Sequence, residues 1–339
     1  MSTRRSFLAG LGAAAVGSLL PTGRLVRLAE AFAPPLYPPI DLSYFETPLS
    51  PAPADLKFGY AAITWGGQDL QAIEDIAAVG FPGIQLRSNV LKEFGARPAA
   101  LREILAKHRL TMVALSSGGV NIDPAAEVRV IDEHARNARF VHDVGGLYLQ
   151  VTDQRPKDRA VDAADMRRLG TLLTEIGKRT ADVGVPLGYH NHMGTIGEKP
   201  DDVDRILDAA DPRYVKLELD VAHYHQGGGD PVRAIRRYAD RLLFLHLKDV
   251  ENVNGSGRSG ESGRSGGPPD RPSYRFVELG RGKVNLPGVF AALSDVKFRG
   301  WAVVELDSVP DKARTPKDSA LIARRYLEEH GYLHTVGSD

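Results

Sequence analysis

GYHNHMGT (188–195), LELDVAHYHQGGGDP (217–231) and FLHLKDV (244–250) gather His190, His192, His223, His225 and His246, five of the ten histidines in the chain, together with Asp220 and Lys248. GWAVVELD (300–307) adds Glu305 at the end of another apolar run. Imidazoles and carboxylates are the nitrogen and oxygen donors that hold divalent metals, and they are also the side chains that move protons. Side-chain alternation along a strand decides which of them can meet. His190 shares a face with Gly188, Asp220 with Glu218 and Lys216, His246 with Phe244 and Lys248, and Glu305 with Val303. With the more apolar faces covered by helices, His190, Asp220, His246 and Glu305 point inward from the carboxyl ends of four strands. One such residue alone is more often a hydrogen-bonded structural group. Four together point to one divalent metal ion, Mn²⁺ before Co²⁺, Zn²⁺ or Mg²⁺, because buried charge is costly unless it is paired or metal-bound. His192 keeps the parity of His190 if the strand continues, so the ligand there is either of the two.

The elements that must position these groups alternate regularly. Apolar runs at 56–63, 81–87, 110–116, 146–152, 185–190, 214–220, 242–248 and 301–307 are separated by helical patterns at 70–80, 99–108, 125–142, 163–183, 200–210, 231–239 and 286–293, and a last helical pattern follows at 315–329. Eight such repeats predict an α/β fold, a (β/α)8 TIM barrel forming a single domain over 56–333. A doubly wound open sheet is the alternative, weakened because no glycine-rich dinucleotide fingerprint follows the first run. The spacing from His246 to Glu305 is 59 residues, against 30 from His190 to Asp220 and 26 from Asp220 to His246. The excess contains 254–272, a Gly/Ser/Arg-rich loop insertion expected to be flexible, either a lid over the barrel mouth or a surface insertion without a role.

Ahead of the barrel, Thr3-Arg4-Arg5-Ser6-Phe7-Leu8 and the small, apolar run 9–20 resemble a twin-arginine export signal, with Ala29-Glu30-Ala31 as a cleavage site. Residues 1–31 are therefore expected to be a signal peptide and 32–55, rich in proline, an extended arm. The expected location is periplasmic or secreted, with no stable membrane anchor after cleavage, since the apolar run is short for a bilayer. Lys plus Arg and Asp plus Glu are balanced at 43 each, so no basic field attracts nucleic acid, and the expected partner is a small molecule. Cysteine is absent, so an oxidising compartment neither helps nor harms the chain.

FGYAAITWGG (58–67), GYHNHMGT, ELDVAHYHQGGGDP, FLHLKDV, ELGRGKVNLPGVF (278–290) and GWAVVELD, in that order, resemble the xylose isomerase-like TIM-barrel superfamily of sugar isomerases and epimerases, and within it inosose dehydratase and its relatives. The resemblance covers roughly 56–333. It implies a divalent metal on strand-end Glu, Asp, His and Glu, which fall here on His190, Asp220, His246 and Glu305. His190 departs from the glutamate found in many relatives, which puts symmetrical two-base epimerisation in doubt and leaves elimination or one-base isomerisation open. The expected chemistry is removal of a proton beside the carbonyl of a keto-sugar, keto-glycoside or keto-cyclitol, with elimination, by a metal-dependent lyase or dehydratase. Glu305 is the leading base, with His192 or His223 as alternatives, and Lys248 or a protonated histidine assists departure of the leaving group. Trp65 and Phe244 are placed to stack on a sugar ring, with Gln150 and His223 as further substrate contacts. A ketose isomerase or epimerase is the second expectation; an exported barrel that binds sugar without turnover is the third.

Overall fold

Side-chain caps and a left-handed glycine set the ends of several helices. The computed structural model describes residues 56–253 and 273–333, so the expected signal peptide (1–31), the expected proline-rich arm (32–55) and the expected loop insertion at 254–272 lie outside the described residues. Along the described chain run β1 (Leu56–Ala61), α1 (Asp69–Val79), β2 (Gly83–Arg87), α2 (Leu91–Phe94), α3 (Pro98–Lys107), β3 (Thr111–Asn121), α4 (Glu127–Val144), β4 (Tyr148–Gln154), α5 (Ala163–Ala181), β5 (Leu187–His190), α6 (Pro200–Ala209) and β6 (Val215–Asp220). There follow α7 (Val221–Gln226), α8 (Pro231–Arg237), β7 (Leu242–Leu247), β8 (Asp249–Asn252), β9 (Tyr274–Val277), α9 (Leu286–Asp295), β10 (Gly300–Val304) and α10 (Pro316–Glu329). Capping boxes open α5 (Asp162 with Asp165) and α10 (Thr315 with Asp318), satisfying the first free amides of each helix. Gly80 ends α1 at a φ of 93°, a left-handed conformation that glycine enters without a Cβ penalty.

Eight strands close into a parallel barrel in the order β1, β10, β7, β6, β5, β4, β3, β2. The main core lies between the sheet and its helices, and a second small core fills the barrel interior with Ala61, Val113, Ala114, Phe244, Trp301 and Val303. Trp301 fits because Gly83 stands opposite, where a Cβ would lie 2.3 Å from the indole. Burying a side chain such as Phe244 stabilises by about 1.5–3 kcal/mol. The interior thus has an apolar layer, above which the inward-facing residues turn polar.

Two local features differ from the sequence expectation. Residues 221–226, which fall between the apolar run 214–220 and the helical pattern at 231–239, form α7, because Asp220 accepts from the Ala222 and His223 amides and caps a helix there. Beyond β7 the chain forms an antiparallel ribbon, β8 with β9, pairing Asp249 with Val277 and Asn252 with Tyr274. The insertion separates its two strands, so no hairpin signature spans them.

Candidate metal centre

His190 closes β5, Asp220 closes β6, His246 is the penultimate residue of β7, and Glu305 follows β10 by one residue. Strand register sets Asp220 beside His246 and His246 beside Val303, so the ends of β6, β7 and β10 are neighbours. Donor atoms of His190, Asp220 and His246 lie within 4.8 Å of one another. Glu305 Oε2 is 3.1 Å from His246 Nδ1. Asp220 uses Oδ1 to cap α7, which leaves Oδ2 facing His246 Nδ1 at 3.6 Å and His223 Nε2 at 3.9 Å. Asn191 braces the two strand ends: its Nδ2 donates to the Asp220 carbonyl at 3.2 Å, and its Oδ1 accepts from the Asp220 amide at 3.0 Å.

His190 Nδ1, Asp220 Oδ2 and His246 Nδ1 are buried without a hydrogen-bond partner, as is Gln150 Oε1. Native interiors leave few such atoms, and a cluster of lone pairs converging on one spot is what a divalent cation neutralises. Two imidazoles and two carboxylates are a chemically suitable set. A second group, His190, His192 and His223, also has its donor atoms within 4.8 Å. β5 stops at His190, so His192 does not extend the strand; its ring nonetheless approaches His223, with centroids 3.8 Å apart. His192 Nδ1 lies 2.7 Å from the Met193 carbonyl and donates to it, which leaves Nε2 as the lone-pair nitrogen.

Charge is arranged tightly around this cluster. Lys248 is fully buried, with Nζ 2.6 Å from Asp307 Oδ1, 2.9 Å from Glu305 Oε1 and 4.0 Å from the Phe276 ring centroid. Burial pushes its pKa down, but Asp307 and Glu305 outweigh burial and hold the ammonium well above its ordinary value. Burial likewise opposes ionisation of Glu305, yet His246 and Lys248 hold its carboxyl well below the usual range. Desolvation pushes His190 and His223 well down, whereas the charges of Glu218 and Glu305 overcome it at His246 and hold that imidazole up. Glu218, buried beneath Asp220, is raised to about 7 by desolvation.

Other expected contact residues are spread more widely. His223 lies in the cluster, its Nε2 3.3 Å from Lys248 Nζ, while His225 lies on α7 and is only half-buried. Gln150 sits on β4, buried, beside Gly188. Phe244 is fully buried in the interior core with its ring stacked on Tyr148, centroids 5.3 Å apart. Trp65 is buried against Tyr60 and donates from Nε1 to Asp75 at 2.9 Å, on the wall of a groove of about 560 Å³ between the start of α10 and the loop after β1. Strand parity placed Glu218 on the inward face without giving it a role. Gln85, Asp307 and Phe276 carry no signal in the sequence: they arrive from across the barrel, from the loop after β10 and from a ribbon interrupted by the insertion.

A family model described as xylose isomerase-like TIM barrel matches residues 73–330. An inosose dehydratase of Lacticaseibacillus casei is 26% identical over 303 residues, covering 80% of this chain and 96% of its own. Among solved structures, that of the IOLI protein with a binding zinc atom superposes with a TM-score of 0.66 at 18% identity, covering 81% of this chain and 98% of its own. The probable 3-DHS dehydratase AsbF of Bacillus anthracis gives a TM-score of 0.63 at 16% identity, covering 80% and 98%. At these identities the two structures speak for the fold.

Proposed function

This chain belongs to the xylose isomerase-like TIM-barrel family, and from that premise we propose that it is a divalent-metal-dependent dehydratase of a keto-cyclitol or keto-sugar. The observation that carries the proposal is the set of buried, unpartnered donor atoms on His190, Asp220 and His246 beside Glu305. Its relatedness to inosose dehydratases supports the substrate class.

His190, Asp220, His246 and Glu305 would hold the ion, with His192 the alternative to His190. When bound, the ion would polarise the substrate carbonyl and stabilise the negative charge that develops as the neighbouring proton leaves. Glu305, kept ionised by His246 and Lys248, accepts that proton. Lys248 is committed to two carboxylates, so it contributes fixed positive charge and is a poor proton donor. For a hydrogen and a hydroxyl on one ring face, the proton taken by Glu305 is the one the departing hydroxyl needs. One C–H and one C–O bond break, one C=C bond forms and water leaves. Gln150 Oε1, buried without a partner, and the lone-pair nitrogen of His192 would accept hydrogen bonds from substrate hydroxyls.

The test is incubation with 2-keto-inositol and with a 3-keto-glucoside, with and without Mn²⁺. Enone absorbance is expected, lost on adding EDTA and lost in Glu305→Gln. Solvent deuterium entering the substrate without loss of water would replace the dehydratase with an isomerase, and saturable binding indifferent to Glu305→Gln would replace it with a binding protein. Periplasmic or secreted location, from the twin-arginine pattern in 1–31, belongs to the same proposal; sequencing the mature N-terminus is expected to begin near Phe32.

A further inference from the structure

Glu218 is fully buried on β6, and no lysine or arginine pairs with it among the described residues. A carboxylate so placed is costly unless donors surround it. The donor in reach is an imidazole: Oε1 is 2.6 Å from His246 Nε2, whereas Oε2 lies 3.7 Å from His190 Nδ1, beyond hydrogen-bond distance. Gln85 Oε1, reaching across from β2, lies 2.8 Å from the same His246 nitrogen. Two acceptor oxygens at one ring nitrogen require that nitrogen to carry hydrogen. His246 is then left with Nδ1 as its lone-pair atom, and Nδ1 is the nitrogen that faces Asp220 Oδ2 at 3.6 Å and Glu305 Oε2 at 3.1 Å.

We infer that Glu218 is a positioning residue for the metal centre, fixing the tautomer and ring orientation of His246 from beneath. The inference rests on the metal-site reading above and adds to it a residue that would not itself ligate. A carboxylate behind a ligating histidine raises its basicity and removes its rotational freedom, and loss of such a partner typically lowers metal affinity about ten- to a hundredfold. Glu218 and Asp220, two residues apart on one strand face, thereby take different layers: Asp220 at the mouth and Glu218 one step below.

The experiment is zinc competition against a calibrated chelator, using the metal-free full chain and Glu218→Gln, with ¹⁵N histidine spectra of the zinc-loaded wild type. Expected are one zinc per chain, affinity about ten- to a hundredfold weaker in the variant, and His246 coordinated through Nδ1 with hydrogen on Nε2. Variant affinity within twofold of wild type, or zinc on His246 Nε2, overturns the inference while leaving the metal centre standing. A wild type that takes up no stoichiometric zinc or manganese overturns the metal centre and the inference with it. Should the variant fail to fold, the wild-type spectra decide, because a merely architectural carboxylate would not dictate which nitrogen binds the ion.

Discussion

His134 on α4 and His246 on β7 are both almost wholly withdrawn from solvent, yet their surroundings are built in opposite ways. His134 Nδ1 meets Ser117 Oγ at 2.7 Å, and the same hydroxyl accepts from Asn137 Nδ2 at 2.8 Å, so the group is closed on itself. At His246 the near atoms are carboxylates, and Nδ1 together with Asp220 Oδ2 lacks a partner. Burial alone moves His134, down to about 4, whereas the charges around His246 move it the other way. The difference teaches that burial of a histidine says little about its use. What separates a packing group from a functional one is whether its polar atoms are already spoken for.

The largest effect that tests this contrast is expected at Asp220. Asn keeps an oxygen to cap α7 but replaces the unpartnered carboxylate oxygen, so Asp220→Asn should lower kcat/KM at least about 10³-fold while changing unfolding free energy by less than about 1 kcal/mol. Equal losses of activity and stability, read by steady-state kinetics and urea denaturation, would erase the contrast. Lys248 marks the boundary, a mouth residue whose partners are complete. Lys248→Met leaves Glu305 and Asp307 without their cation and should cost about 3–5 kcal/mol in denaturant titrations.

His134 gives the pH dependence of the closed group. Its pKa falls from an ordinary 6.5 to about 4 in the folded chain, so between those values the unfolded chain binds the proton and the native one does not. Stability from this residue is full above pH 6.5 and declines toward pH 4, by about 3 kcal/mol. Denaturation of wild type and His134→Gln at pH 7 and pH 5 should show a shallower decline in the variant. The smallest effect belongs to Ser117→Ala, about 1–2 kcal/mol of stability with turnover unchanged; a loss of turnover there would join the two regions after all.

Much of the architecture was legible because period and spacing carry it. Alternation along β5, β6, β7 and β10 puts His190, Asp220, His246 and Glu305 on inward faces, and parallel register then makes their strand ends adjacent. What stayed hidden depends on contacts between distant segments. Gln85 and His246 are 161 residues apart, and Lys248 and Asp307 are 59 apart. Phe276 reaches Lys248 only because β8 and β9 pair across the insertion, which local propensity does not encode. The α7 start was readable in principle, since Asp220 precedes a short run with helical potential, but an aspartate at a strand end serves equally as ligand and cap.

The ribbon has one further consequence. Val253 donates its amide to the Ser273 carbonyl at 2.8 Å, so the two ends of the 254–272 segment are tied to each other before the chain enters the barrel. Below them, Asp249 accepts from the amides of Val250, Gly280, Gly282 and Val284 and anchors the return path. The entropy of closing whatever lies between 253 and 273 grows only slowly with its length. This hairpin base is therefore a port for engineering: a peptide tag, a protease site or a reporter dye installed between 253 and 273 is connected to the barrel through a two-strand stem.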